Sequence, residues 1–134
     1  MTATEPFSWA GPALGMSLPP PEPAPVPHLR LRVTRPTLDT AVISAHGELD
    51  ATTAPRLSEL LMSRLRGNLR TVVVDLSTVE FLAAAGISVL VRANLLARSR
   101  GIALRIHTGR NRFVTRPLTL TGLTEHLDLS EEEG

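Results

Sequence analysis

A chain of 134 residues, 43% hydrophobic and 20% charged with a formal net charge of +1, has the makings of one domain with a single core and some excess chain. Zero cysteines exclude disulfides and thiolate metal sites, and fit a cytosolic protein. All 14 basic residues are arginines, scattered from Arg30 to Arg116 without a dense run, and at 3% aromatic content there are too few rings for a stacking surface, so nucleic acid is not an expected partner.

Residues 1 to 28 differ sharply from the rest of the chain. Prolines at positions 6, 12, 19, 20, 21, 23, 25 and 27 break any hydrophobic period before it forms, which predicts a disordered or polyproline-like arm. The arm has no positively charged start and no uninterrupted apolar run, so it reads as neither a secretory signal nor a membrane span. Phe7 and Trp9 are its bulky anchors, available to a partner or to the domain itself, although idle aromatics are the plainer reading.

The domain starts where Leu29, Leu31 and Val33 alternate with Arg30, Arg32 and Thr34, a period of two that predicts a strand wet on one face. Pro36 should end it. A turn over residues 36–39 then returns the chain into Ala41, Ile43 and Ala45, and the two runs predict a hairpin. Gly47 to Asp50 should break the second strand. A glycine beside two carboxylates hints at metal or acid-base chemistry, but adjacent turn residues do not converge on one point, and a turn with helix-start charge accounts for them. Thr52 or Thr53 suits the cap of the next helix, Pro55 its first turn, and Leu57, Leu60, Leu61 and Leu65 its buried face, with Gly67 as its close.

Val72 to Val74, followed by Asp75 and Leu76, is a β-branched run suited to the central strand of a parallel sheet covered on both faces. Ser77 to Glu80 has the spacing of a capping box, but no periodic helix comes at once, and a tight loop is the favoured reading. From Ala83 the pattern turns helical, with Ile87, Leu90, Val91 and Leu95 on one face, Val89, Ala93 and Leu96 on the opposite side, and Ser88, Arg92 and Ser99 as a polar stripe. One sheet cannot cover both apolar sides. Either a neighbouring helix takes the second or part of it is a partner-binding patch. Gly86 costs roughly 1 kcal/mol against alanine in a helix, which close backbone approach would justify and simple tolerance would equally allow. Gly101 separates this helix from a strand over Ile102, Leu104 and Ile106, and the alternation of strands and helices is the crossover order of a parallel sheet. Because proline costs about 3 kcal/mol inside a helix, a helix within 108–122 should start near Pro117 or be distorted there. Residues 130–134, with Glu131 to Glu133, read as an acidic tail.

These pieces, in this order, resemble the STAS domains of anti-sigma-factor antagonists. In that family the strand, loop and helix carry Asp-Leu-Ser, then Phe, then Asp-Ser-Ser-Gly or Asp-Ser-Thr-Gly; here they read Asp75-Leu76-Ser77, Phe81-Leu82 and Ala83-Ala84-Ala85-Gly86. Gly47-Glu48-Leu49-Asp50 stands where the family has its GELD turn. Val114-Thr115-Arg116, followed by Leu120-Thr121-Gly122-Leu123, stands where a later helix ends in a Ser-Gly-Leu-like turn. The resemblance implies an α/β fold: a single STAS-like domain over 29–129, with a mixed, mostly parallel four- to five-stranded sheet packed against helices, stopping before the further C-terminal helix of some members. It also implies a non-catalytic regulatory domain whose partner is a kinase-type anti-sigma factor or a related regulatory kinase. The implied contact surface is Asp50, Phe81, Leu82, Ala83, Ala84, Ala85, Gly86, Val89, Leu90 and Ala93. In phosphorylation-controlled members the first serine of the quartet accepts the phosphate, and its position here is Ala84. With no hydroxyl there, the usual switch cannot operate and binding is expected irrespective of phosphorylation. Ser77, Thr78 and Ser88 are other candidate phosphoacceptors, none at the family position.

An enzyme reading finds little to work with. His46, His107 and His126 lie apart, with no paired zinc ligands, nucleophile motif, phosphate loop or dinucleotide fingerprint, so no catalytic residue, metal or cofactor is expected. His46 and His107, at strand ends, read as satisfied structural residues. The alternative function is a STAS domain whose helix start holds a small anionic ligand or nucleotide, or which serves as a scaffold in a regulatory assembly.

Overall fold

The computed structural model describes residues 28–131. The expected arm up to position 27, and the tail from position 132, lie outside the described residues. Strands β1 (Leu29–Thr37) and β2 (Thr40–Leu49) form the antiparallel hairpin that their alternation predicts. Pro36 does not end β1. That strand lies at the edge of the sheet, where the amide a proline lacks costs no central ladder bond, and the register against β2 shifts between Thr34 and Thr37. Nor do residues 47 to 49 break β2. Gly47 adopts a φ of +115°, and register shifts against the next strand between Ser44 and His46 and between Gly47 and Glu48 carry the strand on to Leu49.

Helix α1 (Ala54–Leu65) comes next, with Pro55 in its first turn. Leu57, Leu61 and Leu65 are fully buried, each contributing about 2 kcal/mol of apolar transfer energy, while Leu60 is only partly covered. The helix ends on Arg66 in right-handed geometry, so Gly67 supplies no left-handed cap.

β3 (Thr71–Leu82) is the central strand, parallel to β2 on one side and to β4 (Ala103–His107) on the other. It runs through Ser77 to Glu80, where the sequence predicts a loop. Two local features sustain it: the Asp75 carboxylate accepts from the Ser77 amide at 2.9 Å and hydroxyl at 2.6 Å, and the Asn111 side-chain amide donates to the carbonyls of Leu76, Ser77 and Val79. Coverage on both faces is also corrected. Val72, Val74 and Leu76 are buried with Ala41, Ile43, Leu104 and Ile106, whereas Val73 and Asp75 on the other face are half-buried and Arg30, Arg32 and Arg105 line its wetter side.

Helix α2 (Ala84–Arg100) closes on left-handed Gly101, with the Ile102 amide donating to the Ala97 carbonyl at 2.9 Å. Ile87 and Leu90 are buried, but Leu95 is 63% exposed and Val91 half-buried, so the expected apolar stripe is displaced round the helix. Its second apolar side, with Val89 and Ala93, lies buried where α2 packs on α1. Helix α3 (Arg112–Leu120) starts well before Pro117 and contains it. The Asn111 side chain accepts from the Phe113 amide at 3.0 Å, and Val114 and Leu118 are fully buried; together these outweigh one missing amide. A 3₁₀ turn (Leu123–Glu125) leads to β5 (Leu129–Ser130), parallel to β4, so Ser130 belongs to the sheet. The result is a five-stranded mixed sheet in the order β1-β2-β3-β4-β5.

A Cβ on Gly47 would overlap the carbonyl oxygen of His28, just ahead of the edge strand, in a backbone conformation that L residues avoid. Gly47→Ala is therefore expected to destabilise the fold by roughly 3 kcal/mol, combining backbone strain and overpacking. A urea titration with an unchanged midpoint would show that β1 is free to move away.

Candidate functional site

The parallel β2–β3 ladder ends on the rung Leu49–Leu82, beyond which Leu49 leads through a turn over 50–53 into α1 and Leu82 through Ala83 into α2. Leu49 and Leu82 are buried, and the Ala83 amide donates to the Leu49 carbonyl at 2.8 Å. Gly86 completes the seat: a Cβ there would lie 2.8 Å from Leu82 Cδ1 and 3.0 Å from Leu49 Cβ. Close approach, not tolerance, is the reason for this glycine. The consequence is that Asp50 and Ala83 to Ala85 emerge next to each other at the C-terminal edge of the sheet, where open parallel sheets commonly present their binding residues.

Asp50 folds its carboxylate back onto its own turn. Oδ1 accepts from the amides of Thr53 at 3.0 Å and Thr52 at 2.9 Å, and the Thr53 hydroxyl shares its one proton between the Glu48 carbonyl at 2.7 Å and Oδ1 at 3.2 Å. These bonds, led by the Thr53 amide, hold the carboxyl below its ordinary value of 3.8, against a smaller opposing effect of burial. Thr53 thus stands at the N-cap position of α1, but no side chain caps that helix: the Asp50 carboxylate serves the turn before it, and the Ala54 amide donates to the Asp50 backbone carbonyl at 2.8 Å.

On the other side of the rung, Ala83 is extended and offers no side-chain cap to α2. Ala84 is exposed, Ala83 and Ala85 are half-buried, and Phe81 is 51% exposed. Of the expected contact residues, Asp50, Phe81, Ala83, Ala84 and Ala85 therefore reach the surface. Leu82, Gly86, Val89, Leu90 and Ala93 do not; they are core residues that support it. Sequence reasoning missed the groove that adjoins this surface between α1 and α2. Pro55, Ser58 and Glu59 line one wall, Ser88, Val89 and Arg92 the other, enclosing about 530 Å³. Ser88 and Arg92 stand four apart on the polar stripe of α2, the signal from which that wall is readable.

Asp75 and His107 are neighbours across the β3–β4 ladder but are not ion-paired, and His107 Nδ1 is buried without a partner, so it is not the satisfied residue expected. His46 is exposed at the end region of β2. Among the described residues no group of three or more histidine, aspartate or glutamate side chains is placed to hold a metal ion, and no helix is long and apolar enough to cross a membrane.

The family pattern described as "Mlab, STAS domain" matches residues 33–130. The chain belongs to the STAS domain family. Its sequence is 36% identical over 86 residues to the anti-sigma-F factor antagonist RsfB of Mycobacterium tuberculosis, covering 62% of this chain and 66% of that protein. Its STAS fold is similar to that of an anti-sigma factor antagonist from Mycobacterium paratuberculosis, with a TM-score of 0.71 and 27% identity over 78% of this chain and 86% of the other. The phosphorylated form of SpoIIAA from Bacillus shares the fold at a TM-score of 0.61 and 14% identity, covering 77% of this chain and 93% of that one. The family's quartet falls on the turn from β3 into α2, with Ala84 as the first residue of the helix.

Two measurements check this geometry. Gly86→Ala gains roughly 1 kcal/mol of helix propensity and loses about 1–3 kcal/mol to overpacking, so its urea midpoint is expected to fall; a rise would mean the seat on Leu49 has slack. Asp50→Asn removes a carboxylate that is stabilised in the folded state, a contribution present above 3.8 and lost as pH falls through the lower folded value. The gap in melting temperature between native and variant chains is expected to be widest at neutral pH and to close in acid. A gap that stays constant with pH would rule out the charge as its source.

Proposed function

We propose that this STAS domain is an anti-sigma-factor-antagonist-like regulator that acts by binding, without chemistry of its own, and that its partner is a kinase-type anti-sigma factor or a related regulatory kinase. The similarity to RsfB and to solved antagonists supports the regulatory class. The observation that carries the mechanism is the exposed methyl group of Ala84 on the first residue of α2, where a phosphorylation-controlled relative would carry its acceptor serine. A phosphoserine brings a charge of about −1.5 to −2 to such a position, enough to oppose an apolar contact. Alanine brings none. The surface of Phe81 and Ala83 to Ala85 thus stays apolar in every state, with Asp50 as a fixed charge at its rim and the groove beside it open to a partner side chain. Leu82, Gly86, Val89, Leu90 and Ala93 act through packing that sets where this surface lies.

The test is a pull-down from lysate of the source organism with the native chain and Ala84→Glu as baits, followed by titration calorimetry with the kinase-type anti-sigma factor identified. The native chain is expected to retain that factor with or without ATP, and Ala84→Glu to bind it at least about tenfold more weakly. Ala84→Ser is expected to gain one phosphate by intact mass when incubated with the partner and ATP. Equal binding by native and glutamate chains would remove the α2 start from the interface, and retention of no anti-sigma factor by either would overturn the reading.

A further inference from the structure

The charge of this nearly neutral chain is unevenly placed. At the pole opposite Ala84, where the β1–β2 hairpin turns and α1 and α2 end, Arg35, Arg64, Arg66, Arg70 and Arg100 come together, with Asp39 the carboxylate of the same loops. The loops are tied to one another: the Arg70 and Thr71 amides donate to the Asp39 carbonyl, and Arg100 Nη2 donates to the Arg66 carbonyl at 3.0 Å. Part of this gathering has a plain cause, because Arg64 and Arg100 occupy the last turns of their helices, where the helix dipole favours a cation. The dipole does not account for what lies between them.

A cavity of about 180 Å³ opens there, its largely apolar wall formed by Leu38, Gly67 and Leu69 and its polar groups supplied by Arg35, Ser63, Arg64 and Asn68, with no carboxylate. Arg35 is held at its rim by a bond from Nη2 to the Leu38 carbonyl at 2.8 Å, which fixes the guanidinium and leaves its other donors free. Arg64 Nε is buried and has no hydrogen-bond partner. A covered, unpaired donor on a charged group is costly, and buried polar groups are almost always satisfied by protein, water or a bound ion. We propose that this cavity binds a phosphate-type oxyanion. Two guanidinium groups without an acid match the oxygens of a phosphate through paired, charge-assisted bonds, and Ser63 and Asn68 add neutral donors. A small turn of the Arg64 guanidinium brings Nε–H and a terminal N–H onto one anion and satisfies the orphaned donor. The volume suits one phosphate group, carried either as the free ion or as the end of a nucleotide, and not a nucleoside. The site lies at the far end of the sheet from the partner surface, so it stands or falls independently of the function proposed above.

Arginine Nε–H groups give their own signals in nitrogen–proton NMR spectra, which makes Arg64 its own reporter. The full chain is titrated with inorganic phosphate at constant ionic strength, with adenosine monophosphate in a second arm and sodium chloride as control. The Arg64 Nε–H signal is expected to move saturably with phosphate and to stay fixed with chloride. Equal saturation by the nucleotide would assign the site to phosphate esters as well as to the free ion, and movement with phosphate alone would assign it to the free ion. Arg35→Gln, on the exposed hairpin, is expected to keep the amide spectrum of the folded chain while weakening phosphate binding about tenfold, the loss that goes with one contact to a charged group. A signal that does not move, that moves as much with chloride, or that saturates unchanged in Arg35→Gln would overturn the proposal.

Discussion

The hydrogen bond from the Ala83 amide to the Leu49 carbonyl, with Gly86 pressed against the same leucine, holds the two helix starts at this edge of the sheet in place. It joins the end of one parallel strand to the start of the helix that continues its neighbour. Because Leu49 and Leu82 form the last rung of their ladder and both are buried, the residues after each have no freedom to drift apart. Asp50 then commits its carboxylate to the amides of its own turn, which anchors α1 at the same edge. Two helix starts are thereby fixed side by side by one carbonyl, one missing side chain and one carboxylate.

That arrangement separates exposure from support. A family motif read along the chain gives Phe81 to Gly86, Val89, Leu90 and Ala93 the same standing, but in the folded protein the surface alternates with the core every few residues, as a helix requires. Phe81 and Ala84 face outward, while Leu82, Val89, Leu90 and Ala93 carry the packing that aims them. A partner meeting this edge would meet methyl groups, one ring and a groove, a surface whose character does not depend on a modification at its centre. The opposite pole is built from loops and helix ends rich in arginine, a concentration that the net charge of +1 conceals.

Much of the fold is legible along the chain, and the places where it is not share a cause. The hairpin, both long helices, the central valine strand and the break at Gly101 arise from periods of two and of three to four and from turn chemistry. Pro36, Gly47 and Ser77 to Glu80 all read as breaks and all lie within strands, because an edge position, a register shift or a side chain from elsewhere removed the reason to break. Asn111 is the clearest case. Its amide reaches the carbonyls of Leu76, Ser77 and Val79 more than thirty residues away, and no local rule points to it.

Residue type and spacing alone account for the order of the main strands and helices, the family motifs and the missing hydroxyl at Ala84, so these can be read without any fold in hand. Which of the motif residues reach the surface, where Pro117 sits within α3, and that Arg35 and Arg64 share one cavity without an acid were settled only by the packing of the chain. One cause covers each instance. Burial, close backbone approach and the pairing of distant polar groups are relations between segments, and they come into being only when the sheet brings those segments together.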